Sequence, residues 1–385
     1  MKLQAIHYKT GRPIDVTIEE GTFSAVNLHP AEESLPYIAP GFVDIQVNGY
    51  RGVDFNTPPL NFESIKQVCR ALASQGVTTF LPTVITNSPD HILALLQAIR
   101  KAAEQDDVIN QMMAGIHLEG PYISPKDGPR GAHNKQYVKG PDWTEFLEWQ
   151  EASGGRISII TLSPEWPNSV EFIKQCTSQG IVVSIGHTSA DPEQIQEAIK
   201  AGAQLSTHLG NGADLFLKRH PNYLWEQLAS DHLSASMIAD GFHLPDSVLK
   251  IFIRMKGEKA ILISDCVSLA GMPPGKYDLH IGGAVELHPS GRLSMRDQPE
   301  LLAGSAQPQL WGINHLIKSE ICEPEKAVNM ASLHPAALLG LPQQRGISAG
   351  APADFILFHR TPAGIEVIET YKRGIKMYKS REAYV

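Results

Sequence analysis

The middle of the chain alternates between short apolar runs and amphipathic segments. Apolar runs of strand length recur eight times, at Ile38–Val47, Val77–Val84, Met113–Leu118, Ile157–Leu162, Ile181–Ile185, Gln204–His208, Ala235–Ala239 and Ala260–Ile263. Helical patterns lie between most of them. Eight strands that alternate with helices predict an α/β fold, a (β/α)8 barrel of the TIM type. The alternative is an open doubly wound sheet, which would gather the polar residues of interest near one switch point, whereas here they follow many strands.

Three of the intervening helices have recognisable first residues. Asn61 can cap a helix whose apolar positions recur every three or four residues. Ser88-Pro89 and Asp191-Pro192 open two more, with proline at the first helical position. Gly202 is placed to end the last of these helices.

The two ends of the chain have a different pattern, in which apolar and polar residues alternate with period two. This pattern at both ends predicts one small β-sandwich domain built from residues 1–38 and 342–385, with the barrel in residues 39–341. Within the barrel segment, Tyr277–Ile281 and Ala284–His288 are typical of a β-hairpin. From residue 308 onward the chain again has a helical pattern.

Composition narrows the class of protein. The chain has 385 residues, of which 42% are hydrophobic and 19% charged, as is usual for a globular protein with a sizeable core. The formal net charge is −8 and Lys and Arg form no basic stripe, which argues against nucleic acid as a partner. A local cationic pocket for an anionic metabolite remains compatible with this charge.

Neither the first residues nor the cysteines point to secretion or to a membrane. The N-terminal residues lack the apolar core of a signal peptide, and no apolar run is long enough to span a bilayer. The four cysteines are far apart and form no C-x-x-C pair. We therefore expect a cytoplasmic protein with reduced thiols and no membrane partner.

Metal-capable side chains stand at the ends of three of the predicted strands. Glu119 follows strand three, His187 strand five and His208 strand six. One carboxylate and two imidazoles can hold a catalytic divalent ion and leave a position open for water. Taken singly, Glu119 could instead cap a helix, and each histidine could be a hydrogen-bonded structural residue. Their shared placement at strand ends favours a metal site.

Other polar residues follow the remaining strands. Asp265 ends strand eight, where a carboxylate would face the barrel mouth and could move protons as a general acid and base, although it could also be a helix cap. His133 follows strand three and His243 follows strand seven. Each could bind substrate or have a purely structural role. On spacing alone, Arg219 is a residue of a solvated basic loop.

Two further observations favour one metal ion over two. Strand four ends in Thr161-Leu162-Ser163 and so offers no lysine to bridge a metal pair. Gln46 and Asn48 follow strand one, where two-metal barrels of this type carry a pair of histidines. Amides are poor zinc ligands, so we expect a single ion.

Motifs spread over nearly the whole chain resemble those of the N-acetylglucosamine-6-phosphate deacetylase family, within the amidohydrolase superfamily. They occur in one order: P-G-F-V-D-I-Q-V-N-G at 40–49, H-L-E-G-P at 117–121, G-A-H-N at 131–134, G-H-T at 186–188, H-L-x-N at 208–211, A-D-G-x-H at 239–243, S-D at 264–265, L-A-G-S at 302–305, and H-P-A with L-G-L at 334–341. Any one of them would be weak, but several in order make the match specific.

The resemblance implies a role for each matching residue. It implies that Glu119, His187 and His208 bind the metal and that Asp265 is the catalytic acid and base. His133 would contact the acetyl carbonyl as a second catalytic residue. The residues that it implies for substrate binding are Ala132, Asn211, Gly212, Arg219, Asp240, His243, Leu302, Ala303 and Gly304. In a homodimer, Arg219 would reach the neighbouring active site and bind the sugar phosphate.

The chain departs from the family pattern around the expected pocket. The run Gly210-Asn211-Gly212-Ala213-Asp214 replaces a bulky residue before the Asn and Ala-Met after it, and it adds a carboxylate near the expected phosphate. Ala306-Gln307-Pro308 follows Ser305 where the family has Leu-Thr-Met, and Cys266 follows Asp265 where Ala or Gly is usual. The pocket walls therefore differ more than the catalytic set.

These observations lead to three functional hypotheses. The first is metal-dependent hydrolysis of the acetamide of N-acetylglucosamine 6-phosphate, or of a closely related N-acetylhexosamine 6-phosphate, to amino sugar phosphate and acetate. The metal would be one divalent ion per subunit, with zinc preferred and iron, manganese or cobalt also compatible. The second keeps the chemistry but takes an unphosphorylated N-acetyl sugar or another amide. The third is a non-catalytic barrel that binds sugar phosphates.

Overall fold

The computed structural model describes residues 1–30, 35–279 and 283–380. Its strands are β1 (Lys2–His7), β2 (Pro13–Glu19), β3 (Thr22–Leu28), β4 (Tyr37–Pro40), β5 (Phe42–Val47), β6 (Gly49–Tyr50), β7 (Val53–Asp54), β8 (Val77–Ile85), β9 (Ile116–Glu119), β10 (Ile157–Leu162), β11 (Val182–Ile185), β12 (Leu205–Ser206), β13 (Ser234–Ile238), β14 (Ala260–Ile263), β15 (Gly275–Leu279), β16 (Gly283–Leu287), β17 (Leu293–Met295), β18 (Phe355–Thr361), β19 (Gly364–Lys372) and β20 (Ile375–Lys379). Its α-helices are α1 (Phe62–Ala73), α2 (Pro89–Gln105), α3 (Asp107–Met112), α4 (Asp127–Arg130), α5 (Trp143–Ala152), α6 (Ser169–Ser178), α7 (Pro192–Ala201), α8 (Tyr223–Ala229), α9 (Asp246–Lys256), α10 (Gln309–Lys318), α11 (Pro324–Met330) and α12 (Leu333–Leu338).

Eight parallel strands form the barrel. They run in the order β5-β8-β9-β10-β11-β12-β13-β14, and each is joined to the next by helical or irregular segments. The two edge strands meet where Val47 bridges Cys266 in parallel, and the Asp265 amide donates a hydrogen bond to the Gln46 carbonyl at 3.0 Å. The predicted (β/α)8 barrel is confirmed, and the open doubly wound sheet is excluded.

The first predicted strand is wrong in its extent, because it joins two strands. Residues 37–40 form β4, which pairs with β1 and β18 of the terminal sheet, whereas residues 42–47 form β5 of the barrel. The change of sheet occurs at Gly41, where a Cβ atom would lie 2.2 Å from the Thr78 side chain. The run is apolar throughout because both sheets bury it, so hydrophobicity alone could not locate the break.

Two other strand ends also differ from the prediction. Strand three starts at Ile116 rather than Met113 and includes Glu119 as its last residue. Strand six has only two residues, Leu205 and Ser206, so that His208 lies beyond it. The remaining barrel strands agree with the predicted runs to within one residue at each end.

The termini build a seven-stranded sheet in the order β20-β19-β18-β4-β1-β2-β3. It surrounds a core of its own that includes Ile14, Val16, Phe23 and Phe355, and the Phe23 and Phe355 rings lie 5.7 Å apart. The predicted small β-sandwich formed by both termini is thus confirmed. The division of the chain at residues 38/39 and 341/342 stays a prediction, and residues 31–34 and 381–385 lie outside the described residues.

A buried lysine of the terminal sheet contacts both an aspartate of its own segment and the barrel. Lys372, at the end of β19, donates hydrogen bonds to the Asp354 carboxylate at 2.8 Å and to the Thr79 hydroxyl of β8 at 2.9 Å. Both charged side chains are only 2% exposed. Their burial leaves each dependent on the other, because an uncompensated charge in this position would be costly.

The predicted helix starts agree with the structure. Asn61 and Asp191 each form a capping box at the start of α1 and α7, and the Ser88 side chain accepts from His91 N at the start of α2. Gly202 ends α7 with φ +116°, a backbone conformation that favours glycine. These caps fix the residues at which α1, α2 and α7 begin and at which α7 ends.

The predicted hairpin is present as β15 and β16, and a third strand, β17, extends it. The predicted hairpin residues His280 and Ile281 lie outside the described residues. The three strands pack on a small apolar cluster that includes Leu269, Val285, Leu287 and Leu293. No helix in the described ranges is long and apolar enough to cross a membrane.

Candidate active site

A cavity of about 610 Å³ opens at the carboxyl ends of the barrel strands. This is the end of a (β/α)8 barrel where the loops after the strands meet. The predicted site residues that line the cavity are Glu119, Ala132, His133, His187, His208, Asn211, Gly212, His243, Asp265, Leu302, Ala303 and Gly304. Asp240 lies behind His243, and Arg219 is exposed on the surface and does not line the cavity.

Glu119, His187 and His208 converge on one point. The Nε2 atoms of the two histidines are 3.0 Å apart, and they lie 3.3 Å (His187) and 3.0 Å (His208) from Glu119 Oε1. Ligands about 2.1 Å from a tetrahedral metal ion lie about 3.4 Å from one another. The three atoms are therefore spaced as the ligands of one ion would be.

The donor set also fits a cation electrostatically. His187 Nδ1 lies 2.8 Å from the Pro129 carbonyl, which can only accept, so this nitrogen carries the proton and Nε2 of the neutral ring is an acceptor. Glu119 Oε1 is an acceptor as well. Among the three converging atoms, Glu119 Oε1, His187 Nε2 and His208 Nε2, at most one proton could be present, on His208 Nε2. His208 Nδ1 is buried and has no hydrogen-bond partner among the described residues. An excess of buried acceptors is what a metal ion satisfies.

Glu119 and His208 have shifted pKa values for connected reasons. Burial alone would raise the pKa of Glu119, but the two imidazole rings beside it hold this pKa well below its usual range. Burial alone would lower the pKa of His208, but the Glu119 carboxylate raises it. The carboxylate is thus ionised and available as a ligand.

Three residues of the site have left-handed backbone conformations. The φ angles are +49° at His187, +30° at His208 and +48° at Asp265. Residues other than glycine rarely adopt these angles, which cost on the order of 1 kcal/mol each. Each strained residue directly follows a barrel strand, within two residues of its end, and the turn brings its side chain into the cavity. Sequence patterns carry no signal for this strain.

Gln46 and Asn48 act as hydrogen-bond donors. Gln46 Nε2 donates to Glu119 Oε1 at 2.8 Å, and Asn48 Nδ2 donates to Asp265 Oδ1 at 2.7 Å. The sequence predicted only that these amides are poor metal ligands. In the structure they orient the two carboxylates of the site, a role that required the distances across the barrel.

Asp265 is partly buried beside these groups and lines the cavity. Burial and the negative charge of Glu119 raise the pKa of Asp265 to about 6. Cys266, the departure that follows it, has its thiol directed to the Gly49 carbonyl, with Sγ 3.2 Å from the oxygen. The thiol thus packs behind β5 and β14, and Cys266 does not line the cavity.

His133 lies next to the converging ligands. Its Nδ1 atom is 2.8 Å from the Thr86 hydroxyl, and its ring centroid is 4.4 Å from that of His187. Burial lowers the pKa of His133 to about 3, so the ring is neutral at physiological pH. Glu119, His133 and His187 also each offer one ligand atom within 4.8 Å of the others. His208 belongs to the ligand set because its Nε2 atom lies 3.0 Å from both Glu119 Oε1 and His187 Nε2.

His243 and Asp240 form a hydrogen-bonded pair at the wall of the cavity. His243 Nδ1 lies 2.7 Å from Asp240 Oδ2, and Asp240 Oδ1 accepts the backbone N–H groups of Phe242 and His243 at 2.9 Å. Burial alone would raise the pKa of Asp240, but these hydrogen bonds and the charge of His243 lower it. The hydrogen bond to Asp240 orients the His243 ring, which lines the cavity.

Carboxylates outnumber cations in the cavity wall. Of the described residues that line it, Asp54, Glu119, Asp214, Asp265 and Glu300 are acidic, and none is Lys or Arg. Apolar side chains from β15 and from the segment before Gly304 also line the cavity, namely Leu279, Leu301 and Leu302. Within the part of the chain that the structure describes, a phosphate group in this cavity would contact no Lys or Arg side chain.

The loop after β12 presents two exposed apolar residues beside the cavity. Leu215 is 86% exposed and Phe216 is 94% exposed. Arg219 follows in the same loop, and its backbone carbonyl and that of Lys218 accept hydrogen bonds from the Asn222 side chain. At Gly210, a Cβ atom would lie 3.1 Å from Leu244, so Leu244 already fills the space that a bulky residue would need.

Comparison with known proteins agrees with this geometry. A model of the amidohydrolase family matches residues 37–376. N-acetylglucosamine-6-phosphate deacetylase of Mus musculus is 34% identical over 355 residues, which cover 90% of this chain and 84% of that protein. The enzyme of the same name from Bacillus subtilis (strain 168) is 33% identical over 383 residues, which cover 96% of this chain and 93% of that protein.

A solved structure extends the agreement to the fold. The crystal structure of N-acetyl-D-glucosamine-6-phosphate deacetylase from Mycobacterium smegmatis superposes with a TM-score of 0.87 at 26% identity, over 98% of this chain and 100% of that chain. The chain belongs to the amidohydrolase family, whose members are metal-dependent hydrolases, and within it to the family of N-acetylglucosamine-6-phosphate deacetylases.

Proposed function

We propose that this protein hydrolyses the acetamide of N-acetylglucosamine 6-phosphate, or of a closely related N-acetylhexosamine 6-phosphate, to acetate and the amino sugar phosphate. One observation carries the proposal: Glu119, His187 and His208 converge within 3.3 Å at the mouth of the barrel, in a cavity that Asp265 also lines. The substrate named for the relatives supports the choice of sugar.

Glu119, His187 and His208 would hold one divalent ion. We favour zinc, and iron, manganese and cobalt also suit carboxylate and imidazole ligands. Gln46 and Asn48 support a single ion, because their amide N–H groups already donate to Glu119 and Asp265. The ion would supply Lewis-acid polarisation of the acetyl carbonyl and lower the pKa of water at the site.

Asp265 would move the proton that the reaction transfers. Asp265 Oδ1 accepts the hydrogen bond from Asn48, which leaves Oδ2 to accept a proton from the attacking water. After attack on the acetyl carbon, Oδ2 would return this proton to the amide nitrogen as the C–N bond breaks. Water thus provides the oxygen of acetate and the proton of the amine.

His133 would stabilise the negative charge that develops on the acetyl oxygen. If the Thr86 hydroxyl donates to Nδ1, the ring proton lies on Nε2 and can be donated to that oxygen. The low pKa of this ring keeps it neutral, so it would act as a hydrogen-bond donor.

The remaining walls would bind the sugar. We assign this role to Ala132, Asn211, Gly212, Asp240, His243, Leu302, Ala303 and Gly304. All of these except Asp240 line the cavity, and Asp240 acts through its hydrogen bond to His243.

The phosphate would be bound by Arg219 of a second copy in a homodimer. The absence of Lys and Arg from the described cavity lining supports a cation supplied from outside the chain. The exposed Leu215 and Phe216, in the same loop as Arg219, offer apolar area that a second copy could cover. We also propose a cytoplasmic location, since all four cysteines are free.

The same feature of the cavity favours a second candidate. A wall with five carboxylates and no cation among the described residues would suit an unphosphorylated N-acetyl sugar or another neutral amide. Arg219 separates the two candidates. If it binds the phosphate, Arg219→Ala should raise KM steeply for phosphorylated substrates alone.

The experiment is a panel of N-acetylated hexosamines, each with and without the 6-phosphate, assayed for acetate with metal-loaded protein. Lys218→Ala is the matched control for Arg219→Ala, because both are exposed cations of one loop. The first candidate predicts turnover only of the 6-phosphates and a KM at least about tenfold higher in R219A. Preferred turnover of unphosphorylated sugars, unaffected by R219A, would establish the second. Metal-loaded protein that binds sugar phosphates without releasing acetate would instead be a non-catalytic barrel.

A further inference from the structure

Asp214 places a carboxylate in the loop after β12, which also carries Asn211 and Gly212. Its carboxylate is held by two hydroxyl groups: Oδ2 accepts from Ser189 Oγ at 3.0 Å and from Tyr223 OH at 3.0 Å. Ser189 belongs to the segment after β11, and Tyr223 is the first residue of α8. Asp214 therefore joins three consecutive parts of the barrel mouth.

The contact with Tyr223 is reciprocal. The tyrosine hydroxyl also accepts a hydrogen bond from the Asp214 backbone N–H at 2.8 Å, so both main chain and side chain of Asp214 are held by one group. Tyr223 is 5% exposed and packs in the main hydrophobic core, which makes it a rigid anchor.

Ser189 is held in turn by a second carboxylate. Its backbone N–H donates to Glu165 Oε2 at 2.8 Å. Glu165 also accepts the hydroxyl groups of Ser163 and Ser124, each at 2.9 Å. The loops after β9, β10, β11 and β12 are thus connected by one set of hydrogen bonds.

This anchoring bears on the groups next to the reaction centre. Gly212 lies directly over His187, because a Cβ atom at position 212 would be 2.8 Å from His187 Nδ1. Gly128, next to the Pro129 carbonyl that orients His187, also packs against this loop, since its Cβ would lie 3.2 Å from the Ala213 carbonyl oxygen and 3.3 Å from Asp214 Cα. Displacement of Asp214 would loosen both contacts.

We propose that Asp214 is a positioning residue that, through Tyr223 and Ser189, holds the segment Asn211–Gly212 against His187 in the geometry that binds the sugar. The extra carboxylate is then a structural anchor of the loop rather than a group that repels phosphate. This inference rests on the proposed function only in the kinetic test, which needs a substrate. The anchoring itself can be measured without turnover.

The first test is amide hydrogen exchange of residues 211–217, followed by mass spectrometry, which reports the anchoring whether or not a second copy covers Leu215 and Phe216. Loss of the anchor in Asp214→Ala or Tyr223→Phe should speed exchange in this segment by at least about tenfold. Asp214→Asn keeps an acceptor oxygen and should stay within about threefold of wild type. The exposed Asp231 gives the matched control, D231N.

The second test is kinetic, with whichever N-acetyl sugar the protein turns over. D214A should raise KM about tenfold with a smaller change in kcat, and D214N should restore most of the loss. Because D214A and Y223F break the same contact, the double variant should lie within about threefold of D214A alone. A thermal unfolding scan of each variant shows that the fold is retained.

Three results would overturn the proposal. These are unchanged hydrogen exchange of residues 211–217 in D214A and Y223F, fully additive kinetic effects of the two substitutions, or a lower KM for a phosphorylated substrate in D214A. The last result would mean that the carboxylate opposes the phosphate directly. If no N-acetyl sugar is turned over, the proposed function fails, while the hydrogen-exchange result still decides the anchoring.

Discussion

Replacement of Asp265 by asparagine should abolish most of the activity while leaving the fold and the metal site in place. The carboxylate is partly buried and accepts a hydrogen bond from Asn48 Nδ2 through Oδ1. An asparagine must place its own carbonyl oxygen at the Oδ1 position to keep that bond. Its NH2 group then occupies the position of Oδ2, so the atom that should accept a proton becomes a donor.

The expected loss follows from the role of this oxygen. General acid–base catalysis contributes about 10²- to 10⁴-fold, which corresponds to about 3–5 kcal/mol in the activation free energy. We therefore expect kcat of D265N to fall by at least about a hundredfold. The side chain is isosteric and is outside the proposed ligand set, so the bound metal should remain at one ion per chain.

The assay is steady-state acetate release together with metal analysis of the same samples. Asp240→Asn is the matched control, since it makes the same substitution at another carboxylate near the cavity. It should act mainly on KM, because Asp240 reaches the cavity only through His243. If D265N keeps kcat within about tenfold of wild type while its metal content is normal, Asp265 is not the proton-transfer group.

The remaining predictions concern metal binding and stability. Glu119→Gln should lower metal affinity at least about tenfold, measured by competition with a chelator, because a neutral amide replaces the charged ligand; retained affinity would exclude Glu119 as a ligand. Lys372→Met should reduce the free energy of unfolding in urea by about 3–5 kcal/mol, because it leaves Asp354 buried without its partner, and Asp354→Asn in the same chain should recover part of that loss. The lowered pKa of Asp240 stabilises the folded state above the unfolded pKa of about 4, and this contribution is lost as pH falls through the folded pKa. Urea midpoints of D240N should therefore lie below those of wild type at pH 7 and converge with them in acid; a constant gap would contradict the assignment.

The barrel could be predicted because each strand is buried on both faces and reads as an apolar run. The same property hid the break at Gly41, where an apolar run passes from one sheet to the other. Strand six is only two residues long, so the apolar residues around it belong to the turn that carries His208. Hydrophobicity reports burial, and it cannot separate a strand from a buried turn.

The convergence of Glu119, His187 and His208 could be anticipated, because ends of parallel strands meet at one rim. The groups that support them could not. Tyr223, Thr86 and the Pro129 carbonyl were missed, since a tyrosine, a threonine and a backbone group carry no distinctive spacing. Their roles depend on contacts between loops after different strands, for which sequence spacing gives no distance.

The most direct test of the proposed chemistry is acetate release from N-acetylglucosamine 6-phosphate before and after metal removal. A metal-dependent deacetylase should form one acetate per amino sugar phosphate, lose turnover on chelation, and recover it when a divalent ion is returned at one equivalent per chain. Protein that carries a full equivalent of metal and releases no acetate from this sugar or from any related N-acetylhexosamine 6-phosphate would contradict the proposed chemistry.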